Sequence, residues 1–240
     1  MSKIRLWTRL GAVAVIASLF MTACYEYHDD TYLDELDITL TYYDTTYNFQ
    51  QNATYALRDS VGIISDYLSD AEINNFYKPG GGNDQIKDLV RTNMTALGYT
   101  EVSADANFDF GINLVVAAVE NTETYYYGWW YGYYGYYGWY YGGWYPYYGY
   151  PWYPVSYTYQ KGALLMEFAD GNSIRAYRAW ADGKTQGEIE NADPDEVPDI
   201  NFVWQALISG VAGTDKSYNQ QRAERGIVEA FSQSPYLIKN

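Results

Sequence analysis

One cysteine, Cys24, and one histidine, His28, carry all the thiol and imidazole chemistry in this chain, and they stand close together near its N-terminus. A Ser-His-Asp or Cys-His centre needs an imidazole set against a nucleophile, and a zinc site needs several such ligands. If Cys24 carries lipid, neither is expected in the domain beyond it, because the only thiol is then used and the only imidazole lies four residues from the anchor; the residues before Cys24 point to that use.

Residues 1–23 begin with the basic residues Lys3, Arg5 and Arg9, continue through an apolar stretch from Leu10 to Phe20, and end in Met21-Thr22-Ala23. This is the layout of an export signal. The apolar stretch is roughly a dozen residues, short of the about 20 that cross a bilayer as a helix. Met21-Thr22-Ala23-Cys24 resembles the lipobox of bacterial lipoproteins, with small residues where the signal peptidase needs them and Met21 in place of the usual Leu. The expectation is a signal peptide over 1–23, lipidation at Cys24, and a tether over 24–37 joining the lipid to one domain over 38–240. A diacyl pair plus an amide-linked acyl chain on Cys24 exceeds the two signals that stable anchoring requires. With the only thiol committed to lipid, a disulfide cannot stabilise the fold.

The remaining chemistry-bearing patterns are weaker. Gly80, Gly81 and Gly82 precede a helical pattern, but no Lys-Ser or Lys-Thr follows as a phosphate loop demands; they read as a flexible joint. Asp105, Asn107 and Asp109 alternate before Gly111, yet a calcium loop has its glycine one place earlier and closes with a glutamate where Val116 stands. The acidic group Asp193, Asp195, Glu196 and Asp199 reads as a solvated loop rather than a calcium cage. With 30 acidic residues, some pair will lie within the about 5–9 Å that glycoside hydrolysis uses, so a carboxylate pair singles nothing out. The sequence points to no catalytic residue, no metal site and no cofactor.

Charge narrows the partners. The chain has 30 acidic against 15 basic residues, a formal net charge of −15, and three of those bases belong to the leader. Such a surface repels phosphate backbones, so nucleic acid is not expected as a partner, and anionic lipid headgroups are disfavoured too.

Aromatic residues are concentrated to an unusual degree. Every residue from Tyr125 to Pro154 is Tyr, Trp, Gly or Pro. Short Tyr-Tyr-Gly units recur at irregular spacing, which is low complexity rather than a folded repeat. Glycine at this density removes helix preference, and Pro146, Pro151 and Pro154 cannot donate to a strand ladder. The tract, with its flank an insertion over 125–159, is expected as a loop or splayed hairpin outside the core. Tyr and Trp rings stack on sugar faces and suit membrane surfaces, which makes Trp129, Trp130, Trp139, Trp144 and Trp152 candidates for a contact surface.

Elements on either side must position this tract. Extended segments are expected at Ile38 to Tyr43 and Thr54 to Ile64, then a less regular stretch from Ser65 to Gly82. Ile86, Leu89, Val90, Met94 and Leu97 follow helical spacing, with Asn83 or Asp84 to cap and Gly98 to end the helix. Phe108 to Glu120, Gly162 to Ala169 and Ile174 to Ala181 read as neighbouring antiparallel strands, which sets the aromatic tract between two consecutive strands. Residues 188–199 read as an acidic surface loop, and helices are expected at about Ile200 to Val211 and Tyr218 to Phe231. The fold class is α/β, of the α+β type: a single compact domain, mainly antiparallel sheet packed with helices.

The order of short segments resembles the envelope-lipoprotein family known as domain of unknown function 4136. The segments are Cys24 with its lipobox, Tyr47-Asn48-Phe49 followed by Thr54-Tyr55-Ala56-Leu57, Leu97-Gly98-Tyr99, and Phe108-Asp109-Phe110. After the aromatic interruption come Gly162-Ala163-Leu164-Leu165-Met166-Glu167-Phe168, Asp170, Ala176-Tyr177-Arg178-Ala179-Trp180, Ala230-Phe231 and Ser234-Pro235. The resemblance implies a compact α/β sandwich in a Gram-negative envelope, without an established activity, and it carries over no catalytic residue. The acidic loop and the helix expected near Ile200 to Val211 depart from the shorter family pattern.

Two further features bear on location. Asp44-Thr45-Thr46 and Asp59-Ser60-Val61 look like acidic-Ser/Thr-apolar sites of bacterial O-glycosylation. Tyr25, not Asp, follows Cys24, similar to lipoproteins sorted to the outer membrane. The function expected is that of a non-enzymatic binding or assembly component, held to the membrane by its N-terminal lipid and meeting envelope proteins or glycan. The alternatives are a carbohydrate-binding lipoprotein using the Tyr/Trp tract and a carboxylate-based glycan hydrolase. Oligomeric state is left open.

Overall fold

A computed structural model describes residues 37–65, 68–119, 161–211 and 216–239. Cys24, His28, the leader and the aromatic tract, with its five tryptophans, lie outside the described residues. All described residues belong to one compact unit, Leu33–Asn240.

Along the chain, β1 (Ile38–Tyr43) is followed by a short 3-10 turn, then β2 (Thr54–Leu57) and β3 (Gly62–Ser65). Helices α1 (Asp70–Tyr77) and α2 (Gly82–Ala96) come next, then β4 (Thr100–Glu101), β5 (Phe110–Val119) and β6 (Lys161–Asp170). The chain ends with α3 (Gly171–Ala181), α4 (Gln186–Glu190), β7 (Phe202–Val211) and α5 (Lys216–Ser232). The strands make one open sheet in the order β1-β7-β6-β5-β2-β4, with β3 also on β5. Pairings among β1, β7, β6 and β5 are antiparallel, and those of β2, β3 and β4 are parallel. This is the mixed single domain, mostly antiparallel, that the residue pattern implies.

Alternation on the three central strands sorts their residues onto two faces. Ile112, Leu114, Leu164, Met166, Phe168, Trp204 and Ala206 pack in one cluster with Val90 and Met94 of α2 and Ile227, Ala230 and Phe231 of α5. A second, smaller cluster joins Ala56, Phe108 and Ala169 to Ile174 and Tyr177 of α3. Helices thus pack on both sides of the sheet.

Several expectations of secondary structure need correction. The segment Ile174 to Ala181 is helical, because Asp170 caps it by accepting from Ser173 N–H at 3.0 Å, and its apolar residues at 174 and 177 have helical spacing. The segment Ile200 to Val211 is not a helix but strand β7, which lies between β1 and β6. Its apolar run with Val203, Trp204, Ala206 and Ile208 buried suits a strand enclosed on both sides. Residues 70–77 form α1, begun by a capping box between Ser69 and Glu72. Finally, Thr54 to Ile64 is two strands: Leu57 opposes Ile112 while Gly62 opposes Val115, so the extra residues bulge out between them.

The helix α2 follows the expected pattern from Ile86 onward, and its cap lies two residues before Asn83, the earlier of the two expected caps. Gly81 is its N-cap, and Asn83 instead accepts from Val61 N–H at 2.9 Å. The glycines there are a packed corner, not a joint: a Cβ on Gly82 would stand 2.5 Å from the Phe76 ring, and one on Gly81 2.6 Å from the carbonyls of Asn75 and Phe76. Gly98 ends the helix as expected, with φ +93° and a Tyr99 N–H to Met94 carbonyl bond of 3.0 Å.

Candidate functional site

Strand register brings two chain junctions to one end of the sheet. Val119 lies opposite Lys161, so the two ends of the 120–160 segment meet across the β5–β6 ladder. At the same end, Ile38 opposes Ser209 and Ala163 opposes Ser209 on the other side. The expected tether therefore joins the domain where the aromatic segment leaves and re-enters it. The tract does run between consecutive antiparallel strands; its own residues, and Cys24, lie outside the described part.

Asp37 secures this junction. Its carboxylate faces Arg222 of α5 in a two-pronged ion pair: Nε donates to Oδ2 at 2.9 Å, and Nη2 donates to Oδ1. The Arg222 side chain is 5% exposed and that of Asp37 27%. Gly210 makes the approach possible, since a Cβ there would stand 2.2 Å from Asp37 Oδ1. A groove of about 140 Å³ beside the pair is lined by Ile86, Val116, Leu164 and Ile208 together with Asp37 and Arg222. That is below the about 300 Å³ at which pockets begin to hold drug-sized ligands.

The second polar feature was not singled out from sequence. Asn113, Glu167 and Gln205 stand opposite one another on β5, β6 and β7. Glu167 is 1% exposed. Its Oε2 accepts from Asn113 Nδ2 at 2.9 Å, and its Oε1 accepts from Gln205 Nε2 at 3.1 Å. Arg58 Nη1 donates to Asn113 Oδ1 at 3.3 Å, extending the row beyond β5. The signal was present: a glutamate inside Gly162–Ala169 and an asparagine inside Phe110–Val119 interrupt otherwise apolar strands, and buried polar groups need partners.

Other sequence candidates fall in structural roles. Asp109 accepts from Ala53 N–H, Thr54 N–H and the Thr54 hydroxyl at 2.7, 2.8 and 2.9 Å. Burial works to raise its pKa, but those three bonds hold it net below the ordinary carboxylate value. The carbonyls of Ala104 and Phe108 in the same loop accept from Arg178 and Arg175, both at 2.9 Å. The Asp109 carboxylate, which a calcium loop would turn to the ion, is thus spent on the backbone and hydroxyl of residues 53 and 54, and two guanidinium groups brace the loop. Asp105 is exposed, as are Asp193, Asp195, Glu196 and Asp199. Among the described residues no group of three or more His, Cys, Asp or Glu side chains could hold a metal ion. Thr45 is exposed beside Asp44, whose carboxylate is tied to Thr46. No helix among the described residues is long and apolar enough to cross a membrane.

The segments named for the family resemblance acquire physical roles. Ser234 is fully buried and accepts the Trp204 indole N–H at 2.9 Å while donating to the Ala230 carbonyl. The family model described as a domain of unknown function, DUF4136, matches residues 39–236. A crystal structure of a DUF4136 family protein from Bacteroides thetaiotaomicron VPI-5482 is similar to this chain at 28% identity and a TM-score of 0.54, covering 85% of this chain and 99% of that one. No curated protein matches. With the family model covering most of its length and a solved member sharing its fold, this chain belongs to the DUF4136 family.

Proposed function

We propose that the protein is a lipid-anchored component of a bacterial envelope that acts by binding or assembly rather than by catalysis. The observation that carries this reading is the lone Cys24 behind a short apolar leader, a thiol placed for acylation. The sheet register supports a role for the tract at the anchored side: a tether ending at Asp37 and the ends of the aromatic segment share one end of the domain. Trp129, Trp130, Trp139, Trp144 and Trp152 would then act near the membrane to which Cys24 is fixed, the outer membrane if Tyr25 directs sorting.

Mass spectrometry of the mature N-terminus tests the anchor. The expected result is an acylated Cys24 as first residue, with Cys24→Ser moving the protein from the membrane to the soluble fraction. A mature chain that begins elsewhere, or lacks acyl groups, overturns the proposal. The density of Tyr and Trp favours one second reading, recognition of glycan by ring stacking. Glycan-array binding lost in Trp139→Ala and Trp144→Ala would favour it over a protein partner.

A further inference from the structure

Besides β3, which pairs only with β5, the open sheet has two outer strands, β4 and β1, and it treats these two in opposite ways. At one side β4 is two residues long, Thr100–Glu101, and Arg91 holds Glu101 at 2.8 Å. Short, charged edges resist the addition of another strand. At the other side β1 reads Ile38-Thr39-Leu40-Thr41-Tyr42-Tyr43, with neither charge nor proline. Its Ile38, Leu40 and Tyr42 side chains share one face and are 44, 56 and 55% exposed.

Ladder phase tells which backbone groups of β1 point outward. Asp44 N–H donates to Val203 O at 2.9 Å. Positions in step with Asp44, namely Tyr42, Leu40 and Ile38, therefore bond inward to β7, and Thr39, Thr41 and Tyr43 turn their N–H and C=O groups to the outside. Gln233 Nε2 reaches the Thr39 carbonyl over 3.4 Å, a long contact that a strand N–H would readily replace.

We propose that β1 pairs antiparallel with β1 of a second copy of this chain, about a twofold axis through Leu40. In that register Thr39 and the partner's Thr41 exchange hydrogen bonds, Leu40 meets the partner's Leu40, and Ile38 meets the partner's Tyr42. The strand is thus complementary to itself in backbone phase and in side chains at once, and the pairing buries no charge from the strand. Any extended strand can meet the backbone phase, but the exposed row Ile38, Leu40 and Tyr42 is matched by symmetry about Leu40 in a copy of this chain, which is why a second copy is the chosen occupant. A six-residue edge buries less than the about 1,200 Å² of a stable interface. Confinement to a membrane by lipid on Cys24 raises the effective concentration enough to offset this, and that part rests on the anchored reading.

Cysteine crosslinking in membranes tests the register, because an acylated Cys24 has no free thiol. Leu40→Cys alone should form an intermolecular disulfide, since directly opposed residues in such a pair have Cα atoms about 4.5 Å apart. Ile38→Cys alone should not, because four residues of offset separate the two copies by about 13 Å; mixed with Tyr42→Cys it should. Adding Leu40→Lys should lower the mixed 38–42 crosslink at least about tenfold, as a charge on an edge strand opposes pairing, with the thermal transition unchanged. Equal crosslinking at every position, absence of crosslinks in acylated protein, or crosslinks only to a different envelope protein would each overturn the pairing. Mass spectrometry of the same samples reports acylation separately, so failure of the anchor and failure of the pairing are distinguishable.

Discussion

Alternate residues of β5, β6 and β7 face opposite ways, and the two faces are held by different chemistry. On the α2 and α5 side, the Phe168 ring lies 5.2 Å from Phe110 and 4.4 Å from Trp204, and Trp204 stacks 5.7 Å from Phe231. On the other side, Asn113, Glu167 and Gln205 join by amide-to-carboxylate bonds. The aromatic face is stabilised by volume, so any removal leaves a cavity. The polar row is stabilised by completeness, so it tolerates exchange as a set better than loss of one member.

Truncating the aromatic face should have the largest effect. Trp204→Ala should lower unfolding free energy by about 3–5 kcal/mol, read by denaturant titration, because it opens a cavity and strips Ser234 of its indole donor. A loss under about 1 kcal/mol would mean that the face is not close-packed. Next comes the ion pair between Asp37 and Arg222 of α5, on this side of the sheet. Asp37→Ala should cost about 2–3 kcal/mol, less than the about 3–5 of a fully buried pair, because Asp37 keeps some exposure. Equal stability of Asp37→Ala and the parent would show that Arg222 needs no carboxylate.

For the polar row, Glu167→Leu should cost about 1–3 kcal/mol by orphaning the two amides. Combining it with Asn113→Val and Gln205→Leu should cost less than the sum of the three single changes, since the carboxylate and the two amides that bond it are removed together. Simple additivity would break the contrast between the faces. The smallest effect concerns alkali. Burial pushes Tyr55 and Tyr99 up to about 12, while an unfolded tyrosine titrates near about 10. A raised folded-state value means that the neutral form is favoured on folding. This stability is complete below pH about 10 and lost as pH rises to about 12. Tyr99→Phe should therefore move the alkaline unfolding midpoint upward, measured by circular dichroism; a downward shift would contradict the sign.

The legible parts of the fold were those with an unambiguous period or punctuation. Helix α2 was marked by Ile86, Val90 and Met94 on one side and by Gly98, whose φ of +93° few other residues adopt. Strands β5 and β6 were marked by long apolar, β-branched runs. Segments 174–181 and 200–211 were exchanged because short apolar runs fit either period. What decided them lies elsewhere: the Asp170 side chain turned the first into a helix, and a place between β1 and β6 made the second a strand. The Asn113–Glu167–Gln205 row was visible only as isolated polar residues in apolar strands, since cross-strand register, which brings them together, is not written in any one segment. The Asp37–Arg222 pair joins residues at opposite ends of the chain and left no local trace.

The opposition of Val119 and Lys161 has a consequence for change over time. A ladder already holds the two ends of the 120–160 segment together, so a change in its length leaves the β5–β6 register in place. Doubling the length of a flexible chain closed in this way costs about 0.6 kcal/mol, less than most single core substitutions. Genetic drift can therefore expand, contract or rewrite the Tyr-Gly-Trp text while the domain beneath it goes on folding. Variation among relatives should accumulate there first.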